Sequence, residues 1–175
     1  MKEQDINRSS YLKKLSFWKD KKIIKVITGV RRAGKSTLLL QFQKKLLDSG
    51  IKKEQITSIN FEDMDNESLC SYRTLHQFIK SKMKPGRTQY IFLDEIQHVK
   101  EYQKAVDSLF AKGGCDIYIT GSNAYFMSGE LATLLSGRYV QIEILPFSFA
   151  EFRSAFPKEQ KAETLFTEYT ESGSF

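Results

Sequence analysis

Cysteine is nearly missing from this sequence: Cys70 and Cys115 stand alone without CxxC spacing, so neither a disulfide framework nor a thiolate metal site is expected. Both read as free thiols. His76 and His98 lie apart with no clustered ligands, and no metal is assigned to them. No stretch approaches the roughly 20 apolar residues of a membrane span. The N-terminus is polar and charged and lacks the apolar region of a signal peptide. The expected location is therefore cytoplasmic, with no membrane partner. Prolines number three, and no internal repeat or low-complexity segment is present.

The composition, 41% hydrophobic and 27% charged over 175 residues, is that of one globular domain. Chains of this size bury about two thirds of their unfolded surface, enough for a sizeable core. The net charge of +6 is uneven, because residues 1–25 hold eight Lys/Arg and three Asp/Glu, or 8 − 3 = +5. Two readings of that segment are open. Its cations, interleaved with Tyr11, Phe17 and Trp18, suit nucleic acid phosphates and bases. Alternatively it is a solvated helix, with Tyr11, Leu12, Leu15 and Trp18 inward and Lys13, Lys14 and Lys19 facing water.

The most informative stretch is Gly29-Val30-Arg31-Arg32-Ala33-Gly34-Lys35-Ser36, entered from Ile23–Thr28 and left through Thr37 and Leu38–Leu40. A triphosphate needs many converging donors. A glycine-bracketed loop that opens a helix supplies backbone amides and the positive end of the helix dipole. Gly29 and Gly34 allow backbone conformations that a Cβ disfavours. Lys35 is expected to reach the β- and γ-phosphates, Ser36 to place its hydroxyl on Mg²⁺, and Thr37 to meet the α-phosphate.

Apolar runs alternate with helical stretches along the chain, which predicts an α/β domain with a parallel sheet. Strands are expected at about Ile23–Thr28, Ile56–Phe61, Tyr90–Leu93, Cys115–Thr120 and Tyr139–Leu145. Helices are expected at about Lys35–Leu47, Tyr72–Met83, Glu101–Phe110 and Tyr125–Leu135, with a last helical stretch from about Ser148.

Hydrolysis needs a metal anchor and a group that orients water. The third run delivers both at its tip: Asp94 for the Mg²⁺ shell opposite Ser36, and Glu95 as the general base. In open α/β sheets ligands bind outside the carboxyl ends of the strands. The tip of the fourth run therefore offers Ser122 or Asn123 to sense the γ-phosphate, unless the pair only makes a turn. Arg138 is the remaining cation nominated for phosphate chemistry, from the same subunit or a neighbour, against the alternative of a structural salt bridge.

The phosphate loop, the Leu93-Asp94-Glu95-Ile96-Gln97 box, Ile119–Ala124, Leu135-Ser136-Gly137-Arg138-Tyr139 and Leu145–Phe149 together resemble the AAA-like ATPases of bacteria and archaea that carry a C-terminal domain of unknown function. The match runs over about residues 11–156. It implies a P-loop NTPase three-layer sandwich with a five-stranded parallel sheet in the order 5-1-4-3-2, and ATP/ADP with Mg²⁺ as ligands. It divides the chain into a basic helical segment (1–22), the ATPase domain (23–156) and the start of a truncated C-terminal region (157–175). Partner binding and regulation are expected in the missing domain, or through a protein partner or homo-oligomer. An apolar face around Phe147, Phe149 and Phe152 is expected to be exposed without it.

The function that follows is an Mg²⁺-dependent ATPase module acting as a nucleotide switch. The alternatives are a module that holds nucleotide with negligible turnover and a nucleic-acid-dependent ATPase. A small-molecule kinase fits less well, because the Asp94-Glu95 pair suits water activation and no acceptor-binding lid is evident.

Overall fold

Five parallel strands lie side by side in the order β2-β3-β4-β1-β5: β1 (Ile24–Gly29), β2 (Ile56–Asn60), β3 (Gln89–Asp94), β4 (Cys115–Thr120) and β5 (Tyr139–Ile144). This is the order that the family resemblance implied. The computed structural model describes residue 6 and residues 8–122, 135, 137–156 and 160–172. The helix expected at Tyr125–Leu135 lies outside the described residues apart from Leu135, which is buried.

The apolar runs become strands because helices cover both faces of the sheet, as parallel sheets require. Every residue of β1 and β3 is buried. Alternate side chains serve opposite layers. Ile24, Val26, Ile91, Leu93, Ile117 and Ile119 pack with α3 (Tyr72–Lys82) and α4 (Tyr102–Lys112) through Leu75, Ile79, Val106 and Leu109. On the other face Ile27, Phe92, Tyr118, Ile142 and Ile144 pack with Leu15 of α1 (Ser9–Trp18) and with Leu38, Phe42 and Leu46 of α2 (Lys35–Asp48). Helix, sheet and helix form the three layers.

The N-terminal segment follows its helical reading. Leu15 is fully buried, Tyr11, Leu12 and Trp18 pack against the core, and Lys13 and Lys14 face solvent. Lys19 differs, being half-covered and paired with Asp20 at 3.0 Å.

The last helical stretch is two helices, α5 (Phe149–Ser154) and α6 (Ala162–Ser172). The Ala155 amide bonds back to Phe152 and Arg153 and closes α5 in a tightened turn. The face expected to be exposed is largely covered. Phe149 packs edge-on to Phe166 at 5.1 Å, Phe152 meets Tyr169 at 5.4 Å, and the Tyr169 hydroxyl donates to the Phe147 carbonyl at 2.6 Å.

A buried polar network on the α1 face was not legible as such. Lys25 of β1 is fully buried and ion-paired to Asp116 of β4. Asp116 also accepts from the Tyr118 hydroxyl at 2.9 Å and from the Asp20 amide at 2.9 Å, while Tyr90 donates to Asp20 at 2.7 Å. Burial pulls the Lys25 amine below its ordinary value, and Asp116 offsets only part of that. The network clasps the link between α1 and β1 at the amino edge of the sheet. Cys70 and Cys115 are free thiols, and burial pushes Cys115 up to about 11, so it is unreactive at neutral pH.

Candidate functional site

The turn from β1 into α2 is shaped by two glycines. Gly29 has φ 155° and lies against β5, where a Cβ would stand 2.5 Å from the Ile144 carbonyl oxygen. Gly34 is left-handed at φ 84° and is the N-cap of α2. No side chain caps this helix and its first turn holds no acid. The amides and dipole at its start are thus left to an outside anion. Gly29→Ala is expected to destabilise the protein by about 2–3 kcal/mol through overpacking against β5, read as a lower urea midpoint.

A cleft of about 360 Å³ opens over this turn, walled by Arg31, Arg32, Gly34, Lys35, Ser36, Thr37, Glu62 and Glu95. Of the loop residues, Gly29, Val30 and Ala33 do not wall it. The Val30 carbonyl faces Lys35, and Ala33 is buried. Arg31 reaches Glu62 at 3.7 Å across the exposed rim. Lys35 is only 4% exposed, and its ammonium is held by long contacts to the Gly29 and Val30 carbonyls, 3.3 Å each, and to Glu95 Oε1 at 3.5 Å. Such a loosely held, buried cation suits an incoming polyanion.

The acids sit where strand geometry puts them. β4 lies between β1 and β3, and Asp94 ends β3, buried at 7% exposure. It does not wall the cleft; its carboxylate accepts from the Thr120 hydroxyl of β4. Thr120 also accepts from the Glu95 amide at 2.9 Å, so one hydroxyl sets the whole Asp94-Glu95 corner. Glu95 adopts a left-handed backbone, φ 53° and ψ 51°, uncommon for a residue with a side chain. Its Oε2 accepts from Gln97 at 2.6 Å, and Gln97 Oε1 is buried with no partner among the described residues. Two hydrogen-bond acceptors thus meet at this corner, the Glu95 carboxylate beside Lys35 and the unpartnered Gln97 oxygen.

Arg8 belongs to the site's frame and has no local sequence signature. At 3% exposure it donates to the Ala33 carbonyl at 2.8 Å and the Leu145 carbonyl at 2.7 Å, and meets Glu151 at 3.1 Å. It ties the N-terminal segment to the phosphate loop, the end of β5 and α5. Burial works to raise the Glu151 carboxyl, but the Ser148 amide and Arg8 together hold it below its ordinary value.

Two sequence expectations fare differently. Asn123 lies outside the described residues, and its neighbour Ser122 follows the tip of β4, half-buried. Arg138 precedes β5 at the amino edge of the sheet, where its carbonyl accepts from the Ile24 amide at 2.8 Å and its guanidinium pairs with Asp107 of α4. The register Ile24 to Tyr139 and Gly29 to Ile144 puts it one strand length, roughly 17 Å, from the phosphate loop. Arg138 does not reach the cleft of its own chain.

A family model described as AAA domain matches residues 21–153. This chain belongs to the AAA domain family. The AAA domain here is 43% identical over 179 residues to an uncharacterized protein of Haemophilus influenzae, covering all of the chain and 45% of that protein. It is 40% identical over 131 residues to an uncharacterized protein of Methanocaldococcus jannaschii, covering 74% of the chain and 28% of the relative. The chain thus spans less than half the length of either.

Among solved structures it is similar to Aeropyrum pernix ORC1 in complex with DNA, with a TM-score of 0.59 at 14% identity over 93% of this chain and 50% of that one. AMPPCP-bound DnaA from Aquifex aeolicus gives 0.57 at 14% identity, over 94% and 56%. At such identity the likeness is one of fold. The AAA domain is in architecture a nucleotide-binding, ATPase-like module. No helix among its described residues is long and apolar enough to cross a membrane.

Proposed function

We propose that this chain binds ATP with magnesium, hydrolyses it, and uses the exchange of ATP for ADP as a switch. The observation that carries the reading is the buried Lys35 ammonium under an uncapped helix start, 3.5 Å from Glu95. The Gly29–Thr37 segment grips the phosphates through its amides, with Lys35 against the β- and γ-oxygens. Ser36 and Asp94 are the residues that would hold magnesium, which on binding neutralises charge developing on the phosphates. Among the described residues no cluster of three His, Cys, Asp or Glu is placed to cage a metal. That fits magnesium, which takes one or two protein oxygens and completes its shell with waters and phosphates.

Glu95, steadied by Gln97, accepts the proton of the attacking water. Ser122 or Asn123, next after β4 in the sequence, would sense the γ-phosphate, and Thr120 would pass its loss to the Asp94-Glu95 corner. Glu95→Gln tests this assignment: ATP should still bind, while turnover falls by about a hundredfold or more. Turnover at the parent rate would remove Glu95 from the role of base.

The position of Arg138 favours a second reading, in which a lone chain holds nucleotide with little turnover until a neighbouring copy supplies its arginine. Single-turnover rates that rise with protein concentration support that reading; concentration-independent rates oppose it.

A further inference from the structure

The edge of the sheet opposite the nucleotide cleft carries its own concentration of charge. Between Glu67 and Asp94 the sequence has no acidic residue, yet it holds Arg73, Lys80, Lys82, Lys84 and Arg87. The fold gathers most of these. The turn before β3 and the end of α4 before β4 meet in a cavity of about 520 Å³ lined by Lys80, Lys84, Arg87 and Lys112, with Gly113 and Gly114 in its wall. No acidic side chain lines it. Among the described residues none of its four cations has an ion-pair partner.

A second cavity of about 290 Å³ shares Thr88, Gly113 and Gly114 with the first and adds Lys21 and Lys22. Its two carboxylates, Asp20 and Asp116, are already committed to Lys19, Tyr90 and Lys25. Lys21 rests over Phe17 at 3.3 Å and Trp18 at 4.9 Å, and Lys22 over Phe110 at 6.0 Å; among the described residues neither has an ion-pair partner.

Lysines near helix C-termini often serve only the macrodipole. That need is small here, because the ends of α3 and α4 present about half a negative charge each. Lys80, Lys84, Arg87 and Lys112 exceed it severalfold.

We propose that this amino edge binds the phosphodiester backbone of nucleic acid without reading sequence. The cations are divided between two cavities joined at Thr88, Gly113 and Gly114, which suits successive phosphates better than a single anion. The first cavity contains no Asn, Gln or aromatic side chain to read or stack a base. Among the described residues none of the large exposed apolar side chains lines either cavity, and Phe17, which lies beside the second, carries the Lys21 ammonium over its ring. The inference goes beyond the proposed ATPase reading and does not need it, since the two sites occupy opposite ends of the strands.

The test is fluorescence anisotropy of the whole chain with labelled 20-residue oligonucleotides, single-stranded and duplex, in two unrelated sequences. Both sequences should bind equally. With four phosphates neutralised, duplex affinity should fall by about a hundredfold between 50 and 200 mM salt. The double variant Lys84→Glu, Arg87→Glu should bind duplex at least tenfold more weakly at 50 mM salt, with unchanged melting temperature and ATP affinity. No binding at 50 mM salt, capture by phosphatidylserine vesicles but not by oligonucleotides, or parental affinity in the double variant would each overturn the proposal. Loss of ATP binding alone would leave it standing.

Discussion

Lys35→Ala is expected to weaken ATP binding by about a hundredfold or more while the chain stays folded. The ammonium is 4% exposed and held in the free protein only by contacts of 3.3–3.5 Å. Little native stabilisation is lost with it. Against a triphosphate the same group would make two charge-assisted hydrogen bonds, each contributing about 1.5–3 kcal/mol. Their sum of about 3–6 kcal/mol corresponds to roughly two to four decades of affinity. Fluorescent-nucleotide titration reads the loss, and an unchanged circular dichroism spectrum certifies the fold. Parental affinity would mean that the phosphates do not lie against α2.

Asp116→Ala is expected to have the largest effect on stability, about 3–5 kcal/mol, because it leaves the fully buried Lys25 ammonium without its counter-charge. The Tyr118 hydroxyl and the Asp20 amide lose their acceptor in the same step. The double variant Lys25→Met, Asp116→Leu should recover the part of that loss due to the unpaired ammonium, since an apolar pair of similar volume replaces the ion pair. The Tyr118 and Asp20 donors stay without their acceptor. Urea unfolding of the two variants decides the matter. Equal destabilisation in both would show that packing, and not the uncompensated charge, is at stake.

These two sites mark the ends of what the sequence disclosed. The turn from β1 into α2 was legible because its requirement is local: glycines at 29 and 34, then Lys35 and Ser36 opening the helix. Strands were legible because a sheet covered on both faces turns its strands into apolar runs, and no expected strand end lies more than one residue from the observed one. Lys25 sits inside such a run, and its partner lies 91 residues away, so no window of local periodicity holds both. Arg8 is hidden for the same reason, being fixed by carbonyls of Ala33 and Leu145.

Thr120 looked like the end of a strand, and only the order of strands reveals that it stands between the loop and Asp94. For Arg138 a signal did exist. A residue that precedes a parallel strand lies at the amino edge, whereas phosphate chemistry needs the carboxyl edge. Its place before Tyr139 already argued against the cleft of its own chain.

The most direct test of the central claim is isothermal titration of ATP into the folded chain, with magnesium and again with EDTA. Binding of one ATP per chain, weaker without magnesium and lost in Lys35→Ala, is the predicted result. No heat from ATP or any other nucleoside triphosphate, in protein whose melting is cooperative, would contradict it.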